Sequence, residues 1–280
     1  MQRLESTVSL AGGVTIPQVG LGVFQVPSAQ AQRVVEDALA VGYRHVDTAA
    51  AYVNEAGVGA ALRAADVPRA EVFVTSKLRN GDQGFDQALR AYDDTLERLG
   101  LEALDLYLIH WPNPEAGLWQ DSWRALERLL DEGRVRAIGV SNFLVEHLRE
   151  LASFASHAPA VNQIEVHPAF QQREVIAECE RAGIAVEAYS PLGQGGALEH
   201  PMVREIAAAH AVSPAQVVLG WHVQQGRVVI PKTVSRERMV ANAALAGLAL
   251  TEAELAAIDA LEAGDRIGND PRTFALSQIR

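Results

Sequence analysis

Residues 72–110 read VFVTSKLRNGDQGFDQALRAYDDTLERLGLEALDLYLIH. Two short runs of β-branched and aliphatic residues, 72–77 and 104–110, bracket a stretch in which Phe85, Leu89, Tyr92, Leu96 and Leu99 recur at spacings of four, three, four and three. That spacing stacks the apolar side chains on one helical face. Gly100 follows directly and supplies the residue type that most readily ends a helix in the left-handed conformation. A strand, an amphipathic helix and a second strand in this order form a crossover unit, and strands buried on both faces read as the near-continuous apolar runs seen here.

The same beat continues in both directions. Strand candidates fall at residues 19–23, 44–47, 72–77, 104–110, 135–141, 160–165, 184–189 and 228–230. Trp119, Trp123, Leu126 and Leu130 repeat the helical spacing. Ser213 before Pro214 reads as an N-cap with a first-turn proline, and Thr251 with Glu254 as a capping box. Eight strand–helix units in 280 residues predict an α/β fold of the (β/α)8 TIM-barrel type, one domain over residues 1–280, rather than an open doubly wound sheet. Residues 7–16, with a glycine pair at Gly12 and Gly13, predict an N-terminal β-hairpin placed to plug the barrel bottom. The polar tail 264–280 is expected to lie as a loop over the active-site face.

Composition narrows the function. Twenty-four basic against thirty-five acidic residues leave a formal charge of −11, which argues against a nucleic-acid partner. No run of about 18 uncharged apolar residues occurs, and the first ten residues do not resemble a signal peptide, so neither a membrane nor export is expected. With Cys179 the single cysteine, no intrachain disulfide or thiolate metal cluster can form, and a cytoplasmic location is the expectation.

A barrel concentrates function at the C-terminal ends of its strands. Asp47, Lys77, His110, the pair Ser141 and Asn142, Gln163, Tyr189 with Ser190, and Lys232 all stand at or near those ends. A packed core has no use for such a ring, because each ionisable group held out of water is costly unless paired. Tyr52 lies five residues beyond Asp47. A phenol remains protonated at pH 7 and can donate to an oxyanion, a neighbouring ammonium lowers its pKa, and a carboxylate anchors that ammonium. Tyr52, Lys77 and Asp47 suit those roles in that order, and His110 suits hydrogen bonding to a carbonyl oxygen. The chemistry inferred is attack by a nucleophile that brings no proton of its own, with hydride as the leading candidate. Plainer alternatives are a structural Asp47–Lys77 ion pair, or a metallohydrolase-like set of His45, Asp47 and His167. No metal is expected, since Lys77 would place a cation beside it.

These residues also carry a family resemblance. Asp47-Thr48-Ala49 with Tyr52-x-Asn54-Glu55, Thr75-Ser76-Lys77, residues 106–112 (LYLIHWP), residues 138–143 (IGVSNF), Asn162-Gln163-Ile164-Glu165 and Ile230-Pro231-Lys232 resemble the aldo-keto reductases over essentially the whole chain. Residues 20–24 (GLGVF), 160–163 (AVNQ) and 191–195 (PLGQG) are similar to the bacterial 2,5-diketo-D-gluconate reductase branch. The resemblance implies a monomeric NADPH-dependent oxidoreductase acting on a small-molecule carbonyl. In it Tyr52 is the acid, Lys77 and Asp47 tune it, and His110 orients the carbonyl. Ser141, Asn142 and Gln163 would hold the nicotinamide carboxamide, with Tyr189 stacked on the ring. Ser190, Leu192, Gln194, Gly195, Ile230, Lys232, Thr233, Val234, Arg238 and Asn242 are the further cofactor-binding candidates, with the glycine-rich turn 193–196 suited to backbone approach to a pyrophosphate and Asn242 to adenine. Lys232, Thr233 and Arg238 place two cations and a hydroxyl near a helix start, suited to a 2′-phosphate. Phe24, Arg79, His110 and Trp111 are the substrate-site candidates. Three positions depart from the pattern: Ala241 before Asn242, Arg79 in place of an aromatic, and Val53 in place of glycine. The rival of another class is a non-catalytic, nicotinamide-nucleotide-binding regulatory barrel, against which all four catalytic positions being filled speaks.

Overall fold

The computed structural model describes residues 6–275. A hairpin of β1 (Thr7–Ser9) and β2 (Thr15–Pro17) comes first. Gly12 and Gly13, both at φ 77°, make its turn, a backbone conformation that side chains with a Cβ resist. Eight parallel strands follow in sequential order: β3 (Leu21–Gly22), β4 (His45–Asp47), β5 (Phe73–Leu78), β6 (Leu104–Ile109), β7 (Val135–Ser141), β8 (Val161–Glu165), β9 (Ala185–Tyr189) and β10 (Val228–Val229). Bridges Val19–Val229 and Gly22–Lys232 join the last strand to the first, with Val229 N donating to Gln18 O at 2.9 Å and Gly20 N to Val229 O at 2.8 Å. The barrel is therefore closed. The first and last strands are shorter than the sequence indicates because single bridges, rather than a continuous ladder, make the seam.

Helices α1 (Ser28–Val41), α2 (Glu55–Ala64), α3 (Phe85–Leu99), α4 (Trp119–Asp131), α5 (Val145–Phe154) and α6 (Arg173–Ala182) each connect successive strands, and α7 (Pro201–Ala209) and α8 (Pro214–Gln224) share the connection from β9 to β10. After β10 come α9 (Arg236–Ala243) and α10 (Glu252–Asp259). Gly100 ends α3 at φ 65°, Ser213 and Gln216 cap α8 reciprocally, and Thr251 and Glu254 do so for α10.

Inside the barrel the floor is apolar. Phe73, Leu106, Leu108, Ala137, Val161 and Val228 pack with Leu10 and Ile16 of the hairpin, so the hairpin covers the N-terminal ends of the strands as expected. Burying each large aliphatic side chain contributes roughly 1.5–3 kcal/mol. Above this floor the inward positions become polar: His45 and Asp47 on β4, Thr75 and Lys77 on β5, Gln163 on β8 and Glu187 on β9 are all buried. Room for that layer is made by Gly20, where a Cβ would lie 2.4 Å from His45 Nδ1.

Candidate active site

Period-two alternation decides which residues meet. Asp47 and Lys77 project inward from neighbouring parallel strands, and the short 3-10 turn Ala50–Tyr52 brings the phenol over them. Lys77 is fully buried; its Nζ donates to both oxygens of Asp47, at 2.7 and 2.8 Å, and to Thr48 O at 2.9 Å. The same Nζ lies 3.4 Å from the Tyr52 hydroxyl. Gln163 Nε2 donates to Asp47 Oδ2 at 2.8 Å, tying β8 to the pair. His110, immediately after β6, meets Tyr52 edge-on with ring centroids 5.6 Å apart. Val53 then turns the chain at φ 56°, a left-handed conformation in which a β-branched residue is strained.

The electrostatics differ in one respect from the expectation. Burial dominates at Tyr52 and, although Lys77 pulls the other way, the phenol is pushed up to about 12. It is thus a retained proton in this state, not an acidified one. Burial also works against the Lys77 charge, but Asp47 and Tyr52 more than offset it and the ammonium ends above its usual range. His110 is held well below the usual imidazole range by burial and then by Lys77, so its ring is neutral at pH 7.

A cavity of about 340 Å³ opens above these groups. Asp47, Tyr52, His110, Ser141, Asn142, Gln163, Tyr189, Ser190, Gln194, Ile230 and Lys232 line it, with Phe24 and Trp111 on the outer side. Ser141 Oγ donates to Gln163 O at 2.8 Å, Asn142 Nδ2 to His110 O at 3.0 Å, and Tyr189 OH to Asn142 Oδ1 at 2.8 Å. Asn142 adopts φ 63°, a conformation asparagine tolerates better than most residues. The hydroxyl, two amides and aromatic face are the donor set that a nicotinamide carboxamide and ring require. Beyond them, Gly193 (φ 55°), Gln194 (φ 52°) and Gly195 (φ 95°) form a left-handed turn. Lys232 and Arg238 are exposed, and the Ser235 hydroxyl caps α9 by accepting from Arg238 N.

Several candidates lie outside the cavity wall. Leu192, Gly195, Thr233, Val234, Arg238 and Asn242 do not line the cavity; Thr233 and Asn242 are buried, and Thr233 Oγ1 accepts from Ser235 N at 3.1 Å. Arg79, a substrate-site candidate, is turned to a neighbouring carboxylate. Its guanidinium is engaged by Asp82, three residues on, at 2.5 and 3.1 Å, and is not part of the cavity wall. The His45, Asp47 and His167 set is not assembled either, since His45 lies against Glu187 and His167 against Glu165.

The sequence reading missed the role of Glu165. This buried carboxylate at the end of β8 accepts from Ile267 N and Gly268 N, each at 2.7 Å, and from His167 at 3.0 Å. It thereby fastens the tail, from which Ile267, Gly268, Asn269 and Phe274 reach the cavity and Phe274 packs on Trp111 at 4.4 Å between ring centroids. The signal available was the spacing of Gln163, Glu165 and His167 at every second residue.

Comparison with known proteins agrees with this geometry. The model of the Aldo/keto reductase family matches residues 17–263. An aldo-keto reductase of Mycobacterium sp. (strain KMS) is 49% identical over 267 residues, covering 95% of this chain and 97% of the relative. Glyoxal reductase of Bacillus subtilis (strain 168) is 46% identical over 269 residues, covering 96% and 97% respectively. The crystal structure of a Gox0644 variant in complex with NADPH has a TM-score of 0.92 at 43% identity, covering 96% of this chain and 98% of that one. No helix of the described residues is long and apolar enough to cross a membrane. With a match along the whole barrel and nearly half of all residues shared with such relatives, this chain is a member of the aldo/keto reductase family of oxidoreductases.

Proposed function

We propose that the protein is an NADPH-dependent reductase that converts aldehyde or ketone carbonyls to alcohols, with Tyr52 as the proton donor. The observation that carries this reading is the Tyr52 hydroxyl held 3.4 Å from a Lys77 ammonium that is itself clamped by both oxygens of Asp47, on the floor of the cavity. Bound NADPH supplies the hydride. A carbonyl oxygen lodged between Tyr52 and His110 receives a hydrogen bond from the neutral imidazole and the proton from the phenol as negative charge develops on it. Lys77 stabilises the phenolate left behind, and Asp47 keeps the ammonium in place.

Ser141, Asn142, Gln163 and Tyr189 orient the nicotinamide, and exposed Lys232 and Arg238 near the start of α9 receive the 2′-phosphate. The outer wall of Phe24, Trp111, Ile267 and Phe274 excludes water from the reacting carbonyl. Small dicarbonyls and diketo sugars are the substrate classes to try first. Glyoxal reductase is among the relatives, and residues 20–24, 160–163 and 191–195 resemble the diketo-gluconate branch. In this reading the barrel acts as a monomer in a cytoplasmic setting that provides the NADPH.

Tyr52→Phe tests the assignment. Turnover is expected to fall by at least about 10²-fold while the Kd for NADPH, measured by fluorescence titration, stays within twofold. Parallel loss of binding and turnover, or substantial turnover in the variant, would overturn the role given to Tyr52.

A further inference from the structure

One buried ionisable pair takes no part in the steps above. Glu187, in the middle of β9, is 0% exposed, and neither carboxyl oxygen has a hydrogen-bond partner among the described residues. Its nearest ionisable neighbour is His45 on β4, equally buried, with Nε2 at 3.5 Å from Glu187 Oε1 and 3.4 Å from Thr75 Oγ1. The pair lies between the apolar floor and the catalytic groups: along β9, Ala185 packs with the floor, Glu187 sits in the middle and Tyr189 lines the cavity. On β4 the next inward residue after His45 is Asp47.

The charges in this layer do not balance if Glu187 is ionised. Lys77 is the one ammonium there, and its protons are already shared among Asp47, Thr48 O and Tyr52. Gln163, which pairs with Glu187 in register, spends an amide proton on Asp47. On the other side β10 offers Val228. A second carboxylate would be fully desolvated, with His45 at 3.5 Å and the remaining Gln163 amide proton as its polar neighbours and with Lys77 already clamped by Asp47, a state that proteins avoid by protonation.

We propose that Glu187 keeps its proton, with His45 neutral beside it, and that this uncharged pair is a positioning element for the reaction, sparing Lys77 and Tyr52 a second buried negative charge. The electrostatics point the same way. Burial, with Asp47 adding to it, pushes the Glu187 carboxyl up to about 8, against the pull of Gln163 and Lys77. Burial likewise drives His45 down to about 4, although Asp47 and Asp105 oppose it. An ionised Glu187 would raise the Tyr52 phenol further.

The proposal rests on Tyr52 being the proton donor, but its first test does not. Infrared spectra of the protein at pH 7, with and without Glu187→Gln, should differ by the carbonyl stretch of one protonated carboxyl, present in the parent and lost as the pH is raised past about 8. In alcohol oxidation Tyr52 works from its phenolate, formed after Glu187 has ionised. Glu187→Gln removes the opposing charge and should move the pKa controlling kcat/KM for oxidation down by roughly half a unit or more. Absence of the protonated-carboxyl band overturns the proposal, and so does an unmoved pH profile in the variant. If Glu187→Gln fails to fold, titration of the band in the parent protein carrying labelled glutamate decides the protonation state: a band that disappears as the pH passes about 8 supports the proposal, and no band at pH 7 overturns it. Failure of the Tyr52 assignment would instead show as turnover in Tyr52→Phe, with the infrared band unchanged.

Discussion

Lys77 is a charge that the fold can keep only in company. Both Asp47 oxygens, a backbone carbonyl and the Tyr52 hydroxyl surround its Nζ, and none of its surface reaches solvent. Removing the cation alone strands a buried carboxylate, so Lys77→Met should cost about 3–5 kcal/mol in urea unfolding, and adding Asp47→Asn should recover much of the loss. Equal destabilisation by the single and double variants would contradict that account. At the other end of the cavity Lys232 is exposed, and the role proposed for it is recognition rather than support. Lys232→Ala should weaken NADPH at least about tenfold relative to NADH, with unfolding unchanged; an unaltered cofactor ratio would remove the 2′-phosphate assignment. Residue types pointed in advance to Tyr52, Lys77, Asp47 and His110 as neighbours, because few combinations of phenol, ammonium, carboxylate and imidazole share one use. Arg79 was not legible in that way. Its partner Asp82 lies three residues along, and whether a long cation turns toward a cavity or a neighbouring carboxylate depends on the local turn.

Between the end of β8 and the tail, stability and access to the cavity are joined through one carboxylate. Burial raises the pKa of Glu165, but His167 and the amides of Ile267 and Gly268 outweigh it, leaving the group below the usual carboxylate range. The tail therefore stays fastened into mildly acidic solution. Glu165→Ala leaves two backbone N–H groups without acceptors, a local cost of roughly 1–3 kcal/mol. Amide exchange at Ile267 and Gly268 should accelerate about tenfold or more, and KM for the carbonyl should rise as the Phe274–Trp111 wall loosens. Unchanged exchange at both amides would show that other contacts hold the tail. The helix boundaries were readable beforehand at Gly100, Ser213 and Thr251 because caps are local chemistry, satisfied within four residues. The tail's anchor was not, since 102 residues separate Glu165 from Ile267.

Across the barrel, two buried groups give stability a pH dependence whose sign can be worked out. Glu187 has a raised folded pKa, about 8 against an ordinary 4.5, so the folded state binds the extra proton and stability is lost as pH rises through that window. His45 has a lowered one, about 4 against 6.5, so its contribution is present above 6.5 and lost as pH falls. Below 6.5 the Glu187 slope is opposed by His45 and by His110 and His222, which burial also lowers, and above 6.5 the Glu187 slope remains. The unfolding free energy from urea titration should therefore fall above pH 6.5, by up to about 1.4 kcal/mol per pH unit, and Glu187→Gln should flatten it. Identical slopes in the two proteins would place the dependence elsewhere. Periodicity, caps and strand count were enough to set an α/β barrel and to put Asp47, Lys77, His110, Asn142 and Tyr189 at its active end, because side-chain alternation and helix spacing are properties of neighbouring residues. Closure at Val19 and Val229, the burial of Glu187 beside His45, the fastening of the tail and the turning of Arg79 to Asp82 came from the folded chain. Each depends on groups from different strands or loops meeting out of water, where distance and desolvation, rather than residue type, set the energy.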